Sequence, residues 1–177
     1  MLERARTLDQ AGDASAAGVC WTLVLQREPK SKEAMARLGH LAWERGESLE
    51  AEAFLERAVA GGGHRAAWFD LGLVRQDMRK FGSAAEAYRR VLVMSPDAPE
   101  AAVNLGVVLQ ETGDLDGAMA AYSMAYRLRP STFGVIAMAL TSASSGRLWL
   151  DEEALRRSLA SGAPPPGAKP LAVDAGR

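Results

Sequence analysis

The sequence predicts an all-α fold, an α-solenoid of about five antiparallel helix pairs. Three series of residues recur at 33 or 34 positions, or at a multiple of that step, which is typical of helical repeats. The first series is the Leu-Gly dipeptide at Leu38-Gly39, Leu71-Gly72 and Leu105-Gly106. The second series is Gly12, Gly46, Gly113 and Gly146, with Arg79 in the slot of the missing glycine. The third series is Pro29, Pro96 and Pro130.

Each series has a physical role in such a repeat. The glycine of the Leu-Gly dipeptide lies inside a helical apolar pattern, where glycine costs roughly 1 kcal/mol relative to alanine. This repeated cost predicts the close approach of a second helix, with a small residue twelve positions on as its counterpart. The counterparts are Ala51, Ala84 and Ala118. The second glycine series suits a left-handed residue that ends the first helix, and the prolines end the second helix because proline lacks an amide donor.

These signals predict ten helices in one repeat domain over residues 1–162. The helices are expected near residues 2–11, 14–27, 31–45, 48–60, 65–78, 81–94, 98–112, 115–128, 131–144 and 148–161. The repeat copies lie near 1–31, 32–64, 65–98, 99–131 and 132–162. The segment 163–177 is rich in proline and glycine, so we expect a disordered tail there.

The apolar positions within a copy follow the helical period. The clearest copy has Ala102, Leu105, Gly106 and Leu109 on one helix and Leu115, Ala118, Tyr122 and Ala125 on the next. The copy before it has Trp68, Leu71, Gly72, Ala84, Tyr88, Val91 and Pro96. This pattern resembles the tetratricopeptide repeat (TPR), specifically over residues 32–130 and more weakly over 131–162, where Asp151 stands in an alanine slot. The resemblance implies a right-handed superhelix in which the first helix of each pair lines the concave surface.

The composition excludes several classes of function. The formal net charge is −1, so no long-range field favours nucleic acid or an anionic membrane. The N-terminus has no apolar signal segment, and no apolar run is long enough to cross a bilayer. The single cysteine, Cys20, is compatible with a reducing compartment. We therefore expect a cytoplasmic protein that binds neither nucleic acid nor membranes.

The residues that carry catalytic chemistry are sparse. The only histidines, His40 and His64, are 24 residues apart and have no metal-ligand spacing. Gly61-Gly62-Gly63 follows a predicted helix and lacks the Gly-Lys-Ser/Thr ending of a phosphate-binding loop. The sequence thus predicts no enzymatic activity, no cofactor and no metal. His64 lies in a turn between repeats, where we expect it to be exposed.

A candidate binding groove is read from the face of each first helix opposite its packing residues. The stripe follows 4-3-4 spacing and is charged at the start of the chain and apolar at the end. Its residues are Glu3, Arg6 and Gln10; Glu33, Arg37, His40 and Glu44; Ala66, Asp70, Leu73 and Asp77; Glu100, Asn104, Val107 and Glu111; and Phe133, Ala137, Leu140 and Ser144, with Ile136 beside them. The contacts predicted for a bound peptide are Arg6, Arg37, His40, Asp70, Leu73, Asn104, Val107, Glu111, Phe133 and Leu140. Charge reversal at Arg37 is expected to weaken binding with little loss of stability.

The function expected from this groove is a protein–protein interaction module, an adaptor, scaffold or chaperone-like protein that holds a peptide segment. The apolar end leaves two alternatives open. Two chains could associate through Phe133, Ile136 and Leu140, or Leu171 and Val173 of the tail could cover that surface. A third, weaker alternative is a regulatory subunit of an enzyme on another chain.

Overall fold

The computed structural model describes residues 1–142 and 152–162, and the regular structure of this part is entirely helical. The chain divides into two compact units, Met1–Met94 (unit 1) and Ser95–Arg177 (unit 2). The helices of unit 1 are α1 (Leu2–Gln10), α2 (Ala14–Arg27), α3 (Lys32–Glu44), α4 (Ser48–Val59), α5 (Arg65–Asp77) and α6 (Phe81–Met94). The helices of unit 2 are α7 (Pro99–Glu111), α8 (Leu115–Leu128), α9 (Phe133–Ser142) and α10 (Glu152–Ser161), with a 3-10 turn at Pro130–Thr132 before α9.

The all-α architecture of helix pairs predicted from the repeat is confirmed. Helices α1 to α8 begin and end within one residue of their predicted bounds. Helix α9 begins two residues later than predicted because residues 130–132 form the 3-10 turn. Residues 143–151, which include the predicted start of the last helix and Asp151, lie outside the described residues, as does the predicted tail.

In unit 1 the helices pack as three successive pairs. Each first helix packs on the helix that follows it, and each second helix packs on the first helix of the next pair. Helices α3 and α5 are also direct neighbours, so first helices lie side by side. The core is built mostly from small and aliphatic side chains, with Trp21 and Tyr88 as its fully buried aromatic members. Its fully buried members include Ala5, Ala17, Trp21, Leu55, Leu71 and Val74.

In unit 2 the α7–α8 pair carries the core, and α10 packs on α8. The buried side chains of this unit include Val108, Tyr122, Ile136 and Leu159. The hydroxyl of Tyr122 donates a hydrogen bond of 2.9 Å to Oε1 of Gln110, which is itself buried. Burial raises the pKa of Tyr122 far above its ordinary value, so the phenol stays protonated as a donor.

The helix-approach glycines have a different counterpart from the one predicted. A Cβ atom at Gly72 would lie 2.5 Å from Cε1 of Tyr88, and one at Gly106 would overlap the ring of Tyr122. At Gly39 it would lie 2.6 Å from Cγ of Leu55 and 3.2 Å from the carbonyl oxygen of Ala51. The nearest neighbour of each glycine is therefore the side chain sixteen positions on, and at Gly39 the alanine twelve positions on also comes close.

The turns inside the helix pairs explain the second series. Gly46 has φ of 79°, and the slot that lacks glycine is taken by Arg79 with φ of 58°, so both residues adopt the left-handed conformation. The guanidinium of Arg79 lies 5.2 Å from the ring centroid of Phe81, a favourable contact for a residue in a strained conformation.

The turn between the second and third pairs corrects one prediction. His64 is only partly exposed, and its Nδ1 accepts a hydrogen bond of 3.1 Å from the backbone amide of Ala67. It therefore caps the N-terminus of α5, the role that Asp13 has at α2 and Asp114 has at α8.

Candidate functional site

Most of the predicted contacts in unit 1 lie on one surface formed by α1, α3 and α5, which we call the first-helix face. Arg6 on α1 forms two parallel hydrogen bonds to Glu33 on α3, Nε to Oε1 at 2.8 Å and Nη2 to Oε2 at 2.7 Å. Its Nη1 also lies 2.8 Å from Oε1 of Glu3. Hydrogen bonding to Arg6 lowers the pKa of Glu33, although burial of Glu33 opposes the shift. The pair is largely solvent-exposed, so we expect it to add little stability.

Asp9 joins three helices beneath this face. Its Oδ2 accepts a hydrogen bond of 2.7 Å from Nε of Arg37 on α3 and another of 2.7 Å from Nε1 of Trp21 on α2. The Trp21 side chain is buried, and Asp9 retains only 11% exposure. Arg37 is therefore part of the packing of unit 1, and its charge reversal would place two carboxylates together. The expectation that this change leaves stability nearly unchanged is accordingly revised.

His40 forms the next connection, from α3 to α5. Its Nδ1 lies 3.2 Å from Oδ2 of Asp70, an ion-pair distance without the alignment of a hydrogen bond, and its Nε2 lies 3.5 Å from Oε1 of Glu44. The contact with Asp70 raises the pKa of His40 above 6.5, and Glu44 adds to this shift, whereas partial burial and Arg37 oppose it. The imidazole thus favours its charged form in the folded protein.

This shift predicts a pH-dependent contribution to stability. Because the folded-state pKa of His40 is raised, the contribution is fully present below the unfolded-state value and is lost as pH rises through the folded-state value. We expect His40→Gln to cost about 0.5 kcal/mol at pH 5.5 and almost nothing at pH 8.5. Urea unfolding of both proteins at the two pH values measures this difference. An equal loss at both pH values would contradict a role for the protonated imidazole.

Trp43 and Asp77 extend the set of connections between α3 and α5. Nε1 of Trp43 donates a hydrogen bond of 2.6 Å to Oδ2 of Asp77, and the Trp43 ring lies 5.8 Å from the ring of His40. Arg6, Arg37, His40 and Asp70 are thus brought onto one face, and all four are paired within the protein. Leu73, one turn beyond Asp70 on α5, is partly exposed.

Two adjoining clefts open near the turn between α1 and α2. The smaller, of about 170 Å³, is polar, and we call it the polar cleft. It is lined by Asp9, Gly12, Ala14, Arg37, His40, Leu41 and Glu44. The larger, of about 700 Å³, lies between α2 and α3, and we call it the apolar cleft. Ala14, Leu41 and Glu44 line both, so the two clefts lie side by side.

The predicted contacts of unit 2 divide into two groups. Asn104, Val107 and Glu111 lie along α7 and are partly exposed. Phe133 and Leu140 on α9 are buried, with 7% and 5% exposure. Their prediction as surface contacts is therefore wrong.

The contacts of Phe133 and the repeat spacing explain the error. The Phe133 ring packs edge-on against Tyr126 of α8 with centroids 6.2 Å apart, and the guanidinium of Arg156 on α10 lies 3.7 Å above it. Counting 34 residues from Glu100, Asn104 and Val107 gives Gly134, Met138 and Thr141, which are all exposed. The predicted stripe on α9 was out of register by one residue, which rotates it about 100° around the helix. Ile136 is buried as well, so these three side chains do not form an exposed surface. Docking of Leu171 and Val173 on them stays a prediction, since both lie outside the described residues.

Asp9 is the connecting residue that the sequence analysis missed. A signal for it exists, because a carboxylate in the last turn of a helix opposes the helix dipole and implies a partner elsewhere. Asp9, Glu44 and Asp77 all occupy that position, in α1, α3 and α5. Each has a nitrogen partner on a side chain of unit 1.

Residues 1–142 and 152–162 lack the features of several other kinds of site. This part of the chain contains no group of three His, Cys, Asp or Glu side chains arranged to hold a metal ion. Cys20 is buried in the core of unit 1. None of the described helices is long and apolar enough to span a membrane.

The fold and the repeat pattern define a helical-repeat protein, and comparison with known proteins gives its family. The family model described as tetratricopeptide repeat matches residues 2–70 and 69–131. The chain belongs to the tetratricopeptide-repeat family, whose members are generally interaction modules without enzymatic activity. A search of curated proteins gave no significant match.

Solved structures of the same fold include two proteins named MamA and YrrB. A crystal structure of MamA is 20% identical over 89% of this chain and 88% of its own, with a TM-score of 0.69. MamA from Desulfovibrio magneticus RS-1 is 14% identical over 90% of this chain and 86% of its own, with a TM-score of 0.71. YrrB, described as a TPR protein with an unusual peptide-binding site, is 19% identical over 77% of this chain and 73% of its own, with a TM-score of 0.68. At these identities the likeness establishes the fold.

Proposed function

We propose that this chain is a non-enzymatic interaction module whose first-helix face holds a peptide segment of a protein partner. The observation that carries the proposal is the continuity of that face with the polar cleft, where side chains of α1 and α3 meet a concave surface. Concave surfaces that combine a few placed polar groups with an apolar neighbour are the usual form of binding sites. On this proposal His40, Asp70 and Leu73 contact the ligand. Arg6 and Arg37 support the face through their ion pairs, Arg6 with Glu33 and Arg37 with Asp9.

Two further features support a peptide as the ligand. YrrB is a relative in fold whose description names a peptide-binding site, and we extend that class of ligand to this chain. The carboxylates on the first-helix face also disfavour nucleic acid, since Glu33, Glu44, Asp70 and Asp77 would repel phosphates. In unit 2, Asn104, Val107 and Glu111 are proposed as contacts on α7. The cytoplasmic location expected from the sequence stays a prediction.

The test uses an exposed alanine on the first-helix face. Ala66 lies one turn before Asp70 on α5, so Ala66→Arg adds a bulky side chain there and removes no internal contact. We would select displayed random peptides on the wild-type chain and measure their affinity for Ala66→Arg by fluorescence polarisation. The expected result is a loss of about tenfold or more, because a ligand on this face must displace the new side chain.

Ala53→Arg is the matched control. Ala53 is an exposed alanine on α4, a second helix of a pair, and receives the same substitution. Its affinity should stay within about twofold of the wild type. Equal losses in both variants, or a loss only in Ala53→Arg, would place binding elsewhere and overturn the proposal.

A further inference from the structure

The apolar cleft between α2 and α3 exposes hydrophobic surface beside the first-helix face. It is lined by Ala14, Ser15, Gly18, Val19, Thr22, Leu41, Glu44 and Arg45. Val19 is 61% exposed, and Leu23, one turn further along α2, is 37% exposed. The cleft volume of about 700 Å³ lies within the range usual for ligand sites.

The counterpart of this cleft in the next repeat is occupied by charged side chains that pair with one another. The residues 34 positions after Gly18 and Thr22 are Glu52 and Glu56 on α4. Arg75 on α5 pairs with both, at 3.3 Å from Oε1 of Glu52 and 2.8 Å from Oε1 of Glu56. Lys80 adds a contact of 2.5 Å to Oε2 of Glu52. Side chains paired with one another thus occupy the counterpart positions between α4 and α5, where α2 carries a glycine and a threonine.

The apolar cleft and the polar cleft share one carboxylate, that of Glu44. Glu44 lines both, and its side chain is 51% exposed. Nε2 of His40 lies 3.5 Å from Oε1 of Glu44, whereas Nδ1 of His40 lies 3.2 Å from Oδ2 of Asp70, so the imidazole is closer to Asp70. The other cations there are already paired, Arg37 with Asp9 and Arg45 with Glu47.

The balance of charge is acidic once the partners of the lining cations are counted. The lining carboxylates Asp9 and Glu44, together with Glu47 and Asp70 that pair with lining cations, oppose two guanidinium groups and one imidazole. A ligand that brings a cation to Glu44 is favoured by charge complementarity, and one that brings an anion is disfavoured.

We infer that the apolar cleft takes a bulky apolar side chain of the bound peptide and that Glu44 takes a neighbouring lysine or arginine. This inference rests on the proposed function and names the chemistry of its ligand. The side chain packs on the cleft surface that Gly18, Val19 and Leu41 line. Val19 and Leu23 extend the apolar contact along α2.

The decisive variant fills the cleft without harming the helix. A Cβ atom at Gly18 would lie 3.7 Å from Cδ1 of Leu41, an ordinary contact, so a longer side chain can enter the cleft from this position. Gly18→Gln should also leave stability unchanged or higher, because glutamine is a better helix former than glycine. Gly82→Gln on α6 is the matched control, since a Cβ atom there has nothing within 4 Å.

The probes are twelve-residue displayed random peptides selected on the full wild-type chain. We expect the selected peptides to share an apolar residue with a lysine or arginine nearby. Their affinity for Gly18→Gln should be about tenfold or more below that for the wild type, and their affinity for Gly82→Gln should equal that for the wild type. Glu44→Gln should weaken them about threefold, as for a partly exposed ion pair, and norleucine in place of the basic residue should remove that difference.

Two outcomes would overturn the inference, and they are distinguishable. Peptides that lose affinity for Ala66→Arg but bind Gly18→Gln like the wild type would leave the proposed function intact and exclude the apolar cleft. Peptides that bind both variants like the wild type would overturn both proposals. If Gly18→Gln melts at a lower temperature than the wild type, Val19→Ser tests the cleft instead, because it removes apolar surface at a side chain that is 61% exposed. Val93→Ser, at a side chain that is 76% exposed, is its control.

Discussion

Gly106→Ala is expected to lower the free energy of unfolding by about 3 kcal/mol, because the new methyl group would overlap the ring of Tyr122. Tyr122 has little freedom to move away, since it is fully buried and its hydroxyl is bonded to the buried Gln110. The strain outweighs the roughly 1 kcal/mol that alanine gains over glycine in a helix. Urea unfolding followed by circular dichroism measures the change.

Gly82→Ala is the control for this prediction. The substitution is the same and also lies in a helix, but a Cβ atom at Gly82 meets nothing within 4 Å. We expect a gain of about 0.5 kcal/mol from helix propensity alone. If Gly106→Ala gave a similar gain, the close approach of α7 and the Tyr122 ring would be contradicted.

Asp9→Ala is expected to produce the second large loss, about 3 kcal/mol. The substitution removes the acceptor of two hydrogen bonds, one from the buried indole of Trp21 and one from the guanidinium of Arg37. An indole N–H left unpaired in the core costs about 1–3 kcal/mol, and the loss of the charged pair adds to it. Thermal or urea unfolding measures the effect, and Arg37→Gln reports how much of it belongs to the ion pair.

Asp77→Ala separates the effect of burial from the loss of a tryptophan hydrogen bond. Asp77 accepts from Nε1 of Trp43 in the same way, but Asp77 is exposed and Trp43 is only partly buried, so water can replace the lost acceptor. We expect a loss of about 1 kcal/mol or less. Similar losses at Asp9 and Asp77 would contradict the view that Asp9 secures α1, α2 and α3 together.

The repeat pattern predicted the helices closely because helix ends are local. The left-handed residue after the first helix, such as Gly46, and the N-cap before the second, such as Asp13, each lie within a few residues of the end they determine. Arg79 shows that the slot matters more than the residue type, since it takes the conformation that glycine takes elsewhere.

The candidate site was predicted only in part because a sequence fixes the face of a helix but not the register between helices. Arg6, Arg37, His40 and Asp70 were placed on one face by their spacing, yet their partners on neighbouring helices depend on how the pairs stack. Phe133 and Leu140 were misplaced for another reason: α9 has no Leu-Gly dipeptide to align its face, and the stripe was set one residue short of the 34-residue step.

The measurement that tests the central claim most directly is a nuclear magnetic resonance titration of the full chain with a selected peptide. The claim predicts that the largest amide and side-chain shift changes fall on the first-helix face, at His40, Asp70 and Leu73 and around the adjoining clefts. Changes confined to the exposed faces of α4 and α6, with these residues unperturbed, would contradict it.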